Sequence, residues 1–175
     1  MSKKISYTGR RDPRFVTIRR GGTLEDSQHR LLVAWAADCA EHVLDYFSLQ
    51  HPDDDRPLRA IEQARSWSRG EISVAEAREA AYAAHDAAKT STGAARETAR
   101  AAGHAVATAH MADHELGAAA YAIKAVRAAS SKNQRDIAGQ IECQWQRERL
   151  PVAIRALVLS DQELRNQKFW SLFEH

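Results

Sequence analysis

Three of the chain's eight histidines, His104, His110 and His114, crowd with Asp113 into one alanine-rich stretch, AAGHAVATAHMADHELGAAAYAIKA, residues 101–125. Imidazoles beside a carboxylate can ligate a transition metal, move protons, or fill polar gaps between close-packed helices. His110 and His114 are four apart, which on an unbroken helix puts both on one face, as in a zinc site of HExxH type. That motif needs a glutamate general base directly after the first histidine, and Met111 stands there. Asp113 is a good helix N-cap, so the spacing predicts a break near Met111 to Asp113. His110 would then close one helix, where the negative end of the dipole favours its charged form, and His114 would open the next. His104 lies six residues before His110, about 240° round an ideal helix. That spread suits separate polar contacts better than convergence on one ion.

A second candidate is the His85-Asp86 dipeptide in AAHDAAK, residues 83–89. HD-type phosphohydrolases are all-α and hold metal through a histidine, such a dipeptide and a later aspartate. His42, His85, Asp86 and either Asp113 or Asp136 are the residues such an enzyme would draw on. One His-Asp pair among eight histidines is a weak signal for it. In WAADCAEH, Asp38 and His42 stand at i, i+4, where the carboxylate can tether the imidazole beside an apolar stripe. Asp38, His42, His85, His104, His110 and His114 thus read as one polar seam. It is expected to be either satisfied packing between helices or the floor of a partner pocket. No nucleophile elbow and no glycine-rich phosphate loop accompanies it. The residues therefore assign no catalytic group, no metal and no cofactor.

The elements that must carry these side chains are helical. Thr23 with Asp26 resembles a capping box, and Leu31, Leu32, Trp35, Cys39, Val43, Tyr46 and Phe47 recur at helical steps, predicting helix one over about 24–49. The acids of HPDDDRP and Pro57 open a second helix, which turns Leu58, Ile61, Ala64 and Trp67 inward and stops at Gly70. Ser73 with Glu76 is a full capping box for a third helix over about 74–89. A fourth follows Gly93, a fifth follows Asp113, a sixth runs from Ser131 to before Pro151, and PVAIRALVLS makes a short seventh. The tail carries Phe169, Trp170, Leu172 and Phe173, too apolar to stay in solvent, and is expected to dock. Alanine makes up 24 of the 55 residues from Ala75 to Ala129. Helices three to five therefore read as a closely spaced layer, with the bulky anchors coming from helices one, two, six and seven. The expectation is an all-α single domain over 23–175, a bundle of about six to seven helices, preceded by an irregular basic arm, 1–22. Within that arm RFVTIRRGG reads as a short extended piece.

Charge and composition narrow the partners. Net charge is only +2, but residues 1–30 hold eight Lys/Arg against three acids. The only aromatics nearby are Tyr7 and Phe15, so the arm reads as a solvated tail or a contact for an acidic protein rather than as a nucleic-acid surface. No apolar run reaches the roughly 18 residues of a membrane helix, and MSKKISYTGRR has no signal-peptide core, so a soluble cytoplasmic protein is expected. Cys39 and Cys143 are far apart and read as buried free thiols in a reducing compartment.

Four segments carry a family likeness: LLVAWAADCAEHVLDYF (31–47), RPLRAIEQARSWSRGEI (56–72), ARAAGHAVATAHMADHELGAAAYAIKAV (99–126) and WQRERLPVAIRALVL (145–159). Together they resemble the Imm-5-like putative immunity proteins of bacteria. The resemblance implies a small cytosolic α-helical protein that neutralises a cognate toxin, and brings no catalytic residues with it. The basic arm lies outside it. A non-catalytic toxin binder is thus the leading expectation. An HD-type hydrolase and a helical scaffold that homo-oligomerises through its alanine-rich face are the alternatives.

Overall fold

The structure is a computed structural model that describes residues 10–174. Local sequence sets most of the helix starts. Ser73 caps α4, Val74–Lys89, accepting from the Glu76 N–H while the Glu76 carboxylate returns to the Ser73 N–H, which satisfies two donors a helix end otherwise leaves open. Pro57 sits in the first turn of α3, Arg56–Ser68, and Gly70 follows it at φ +77°. After Gly93 comes α5, Gly93–Ala107, and the expected break is a 3-10 turn, Ala112–His114, leading into α6, Glu115–Ala129. Helices α7, Arg135–Glu148, and α8, Val152–Arg165, close the set, α8 running longer than its sequence signal.

Helix one differs from expectation at both ends. Its cap is Glu25 with Gln28, not Thr23 with Asp26, and α1 spans Asp26–His42. Leu24 is held in a bridge and Thr23 in a bend, because Leu24 donates to the Val16 carbonyl and accepts from the Ile18 N–H, and Thr23 donates to the Pro13 carbonyl. Beyond His42 the chain turns at Val43 into a separate short helix, α2, Asp45–Ser48. The Val43 carbonyl accepts from the Tyr46 N–H, a tighter i+3 bond, and from the Thr98 hydroxyl, and the turn swings Phe47 into a small cluster with Ala87, Ala88, Ala95 and Ala99. In α3, Leu58 is exposed while Pro57, Ala60, Ile61 and Ala64 face inward. Pro57 fills the place expected for its neighbour.

The alanine-rich helices are the centre of the bundle rather than a layer beside it. α5 and α6 pack on each other, α1 lies against both, α4 and α3 cover α5, and α7 covers α6. Ala101, Ala102, Ala105, Ala118, Ala119, Ala120 and Ala122 are fully buried. A helix with small side chains on every side can be surrounded by neighbours on every side. The bulk around this pair comes from Leu32 and Trp35 on α1, Ile61 on α3 and Ile154 on α8, and α6 supplies Leu116 and Ile123 itself. Cys39 and Cys143 are buried free thiols, and burial raises the pKa of both.

The described part of the basic arm is not a tail. Residues 13–24 form a strap of two 3-10 turns, Pro13–Phe15 and Ile18–Arg20, with a bridge from Thr17 to Leu24. Phe15 is buried, and Arg14 is clamped by Asp12 and bonded to Ser160 of α8 at 2.7 Å. Gly22 is obligatory, since a Cβ there would lie 2.0 Å from the Val16 oxygen. The extended reading of RFVTIRRGG thus gives way to turns, and Lys3, Lys4 and Tyr7 lie outside the described residues. At the other end the tail docks through Leu172 and Phe173, the Phe173 backbone bonding to Arg147 and Asn166, whereas Trp170, also expected to leave solvent, stays exposed beside Tyr121 and Lys124.

Candidate functional site

The six residues of the expected seam fall in three separate places. At the first, between α1 and α7, the His42 Nδ1–H donates to Glu142 at 2.7 Å, and the ring stacks on Trp145 with centroids 3.6 Å apart and planes within 5°. Glu142 is buried and also accepts from Gln146, whose side chain reaches the Ala119 carbonyl. Asp38 does not tether His42 here. It and Glu41 are ion-paired with Arg65 of α3, at 2.9 and 2.6 Å, a guanidinium offering carboxylates several fixed donors where an imidazole offers one.

At the second place, α4, α5 and α6 bring His85, His104 and His114 together. His104 Nδ1 lies 3.3 Å from His114 Nδ1, one neutral ring donating and the other accepting. His85 meets His104 edge-on at 5.2 Å, and Tyr121 stacks on His104 at 5.2 Å. Arg100 donates to His85 Nδ1 at 3.2 Å. Two glycines make the room: a Cβ on Gly103 would be 2.6 Å from His85, and one on Gly117 2.5 Å from His104 Nδ1. Burial, followed by the neighbouring cationic groups, lowers the pKa of His85 to about 4 and that of His104 to about 3. The cluster is therefore neutral at physiological pH, His104 and His114 bonded to each other and His85 packed edge-on against them between helices.

His110 belongs to neither group. It lies in a cleft between the strap, α1, α3 and the α5–α6 turn, lined by Arg11, Arg19, Arg20, His29, Trp67 and Ala109 among others. Arg78 of α4 donates to His110 Nδ1 at 3.0 Å. His29 is buried, donates to the Thr108 carbonyl at 2.7 Å and packs against Trp67 with centroids 4.7 Å apart. His110 is thus more open than its alanine-rich neighbourhood suggested.

The residues of an HD-type site do not converge. His85 points to His104, whereas Asp86 faces outward to Lys89 at 2.7 Å. Asp136 pairs with Arg127, and His42 with Glu142. Among the described residues no group of three or more His, Cys, Asp or Glu is arranged to hold a metal ion.

One ionic cluster escaped the sequence reading. Arg165 is bonded to Asp161 at 2.8 Å, to Glu115 at 3.4 Å and to the Asp113 carbonyl at 2.9 Å, and lies near the Phe15 and Phe169 rings. Glu115 and Asp161 are almost wholly buried. Burial, with Asp161 beside it, raises the Glu115 pKa well above the usual carboxylate range. The i, i+4 spacing of Asp161 and Arg165 was visible in the sequence, but nothing there tied them to Glu115, almost fifty residues away.

No helix among the described residues is long and apolar enough to cross a membrane. No curated protein and no solved structure matches the chain. The family model described as Imm-5 like putative immunity protein matches residues 22–153, from the end of the strap to the start of α8. That span includes all three histidine sites and most of the bundle, and the chain belongs to the Imm-5-like immunity protein family.

Proposed function

We propose that the protein binds a cognate bacterial toxin in the cytoplasm and neutralises it by occupying its surface, with no catalytic step of its own. Membership of an immunity-protein family over residues 22–153 is the observation that carries this reading. The side chains support it. The histidines most able to do chemistry on α4 to α6 are neutral and bonded to one another, while arginine and tryptophan, side chains common at binding hot spots, line an open cleft. The alanine-rich face that a homo-oligomeric scaffold would use is buried within the chain itself.

The test is to express the reading frame neighbouring this protein's gene, as the candidate toxin, with and without the protein in a susceptible bacterium. Growth should be restored only when both are present, and the purified proteins should co-elute with the toxin's mass unchanged. Rescue without a stable complex, or a covalently altered toxin, would overturn the binding mechanism in favour of catalysis.

A further inference from the structure

The cleft around His110 carries a positive charge that the described residues answer only at Arg19. Arg11, Arg19, Arg20 and Arg78 surround it, and no acidic residue lines it. Arg19 is paired with Asp26 at 3.0 Å. For Arg11, Arg20 and Arg78 no carboxylate partner exists among the described residues, and all three are exposed. Their fields reach the ring between them: after burial, Arg78, Arg20 and Arg11 are the groups that lower the His110 pKa. Beneath the arginines the floor is apolar, made by Trp67, Ala109 and Ala112.

Folding built this arrangement. Phe15 and Leu24 anchor the strap in the core, Asp12 and Ser160 hold Arg14, and the 3-10 turn Ile18–Arg20 is left displaying Arg19 and Arg20 at the rim. Guanidinium groups match carboxylates in paired hydrogen bonds, and arginine over an apolar floor is a common anchor at protein interfaces. The cleft is small, about 80 Å³, which admits one or two side chains. Nucleic acid requires a basic surface that follows many phosphates. Here the same segments carry Asp26, Glu76 and Glu79, and the whole chain is only +2.

We propose that this cleft is the docking site for an acidic segment of a partner protein, Asp or Glu side chains beside an apolar or aromatic one. Resting on the toxin-binding reading, that segment belongs to the toxin. Its carboxylates bond to Arg20 and Arg78 and cover His110, and its apolar side chain sits against Trp67.

Calorimetric titration of the full-length protein with the toxin domain tests this, at low and high salt, for wild type, Arg20→Gln/Arg78→Gln and Ile141→Glu. Ile141 is exposed on α7, away from the cleft. A blocked acidic peptide of glutamates with one tryptophan, inorganic phosphate and a short DNA duplex are titrated separately. The double variant should keep its melting temperature, bind toxin about tenfold or more weakly and lose most of the salt dependence, with Ile141→Glu like wild type. The peptide should bind the wild type and not the double variant. Wild-type affinity in the double variant, loss of binding in Ile141→Glu alone, or a preference for DNA or phosphate over the peptide would overturn the proposal. If the toxin fails to bind even the wild type, the toxin reading falls, and the peptide titration still decides the cleft: binding that the double variant abolishes supports it, and no binding overturns it.

Discussion

His104 shows how much one ring depends on its neighbours. Its sequence setting, a histidine among alanines, announced a polar group in an apolar helix, but not that its partner would be His114 or that a glycine on α6 would make the space. The pKa values of His85 and His104, and in the same direction those of His29 and His114, lie below the ordinary value near 6.5, burial being the first cause of each. Below that pH the unfolded chain takes up protons that the folded rings refuse. The stability owed to the neutral rings is complete above about pH 6.5 and is lost as the pH falls from there toward 4 and 3. His104→Gln should therefore show a shallower loss of stability over that window than wild type, measured by urea unfolding, and matching slopes would mean that His104 titrates freely in the fold. Glu115 has the opposite sign. Burial, with Asp161 beside it, raises its pKa well above the usual carboxylate range, so the folded protein holds this proton more tightly than the unfolded chain does. Holding that proton costs stability as the pH rises past the usual carboxylate range. Glu115→Gln should consequently be as stable as wild type or more so at neutral pH. Arg165→Ala, which strips a buried pair of its cation, should lose about 3–5 kcal/mol. Equal damage from both would contradict the raised Glu115 pKa.

At the scale of the element, short-range signals were reliable where nothing else competes for the helix end and misleading where another segment binds it. Ser73 and Glu76 need only each other, and their helix begins where they say. Thr23 offered the same kind of signal and lost to the strap, whose hydrogen bonds hold Leu24 extended. Gly117 illustrates the reverse: glycine is a poor helix former, it stands inside α6, and the structure supplies the reason. Glycine to alanine inside a helix ordinarily stabilises by about 1 kcal/mol. At Gly117 the new Cβ would sit 2.5 Å from His104 Nδ1, so Gly117→Ala should destabilise by about 1–3 kcal/mol instead. A double-mutant cycle with His104→Ala checks the cause: thermal melts should show much of the loss recovered once the ring is removed. Additive losses would place the strain elsewhere.

For the whole molecule, α1 is the keel. Trp35 is fully buried, and its indole N–H donates to the Gln146 carbonyl of α7 at 2.9 Å, joining the first long helix to a late one. Trp35→Ala should cost about 3–5 kcal/mol, a large part of the stability of a domain this size. Denaturant unfolding measures it, and an unchanged midpoint would remove α1 from that role.

The sequence by itself determined the all-α class, most helix boundaries, the break before α6, the docking of the tail and the family. Those follow from periodicity, capping chemistry and extended likeness, all of which act over a few residues or along the chain. Tertiary structure alone decided that the alanine helices lie at the centre, since alanine suits a surrounded helix and a flanking one equally well. It decided the partner of each histidine as well. A ring bonds to whichever group the packing brings within about 3 Å: Glu142 for His42, His114 for His104 and Arg78 for His110. The arginine cleft was hidden for the same reason. Its walls come from the strap, α1, α3, α4 and the turn before α6, segments spread over about a hundred residues of chain, which only the fold brings together.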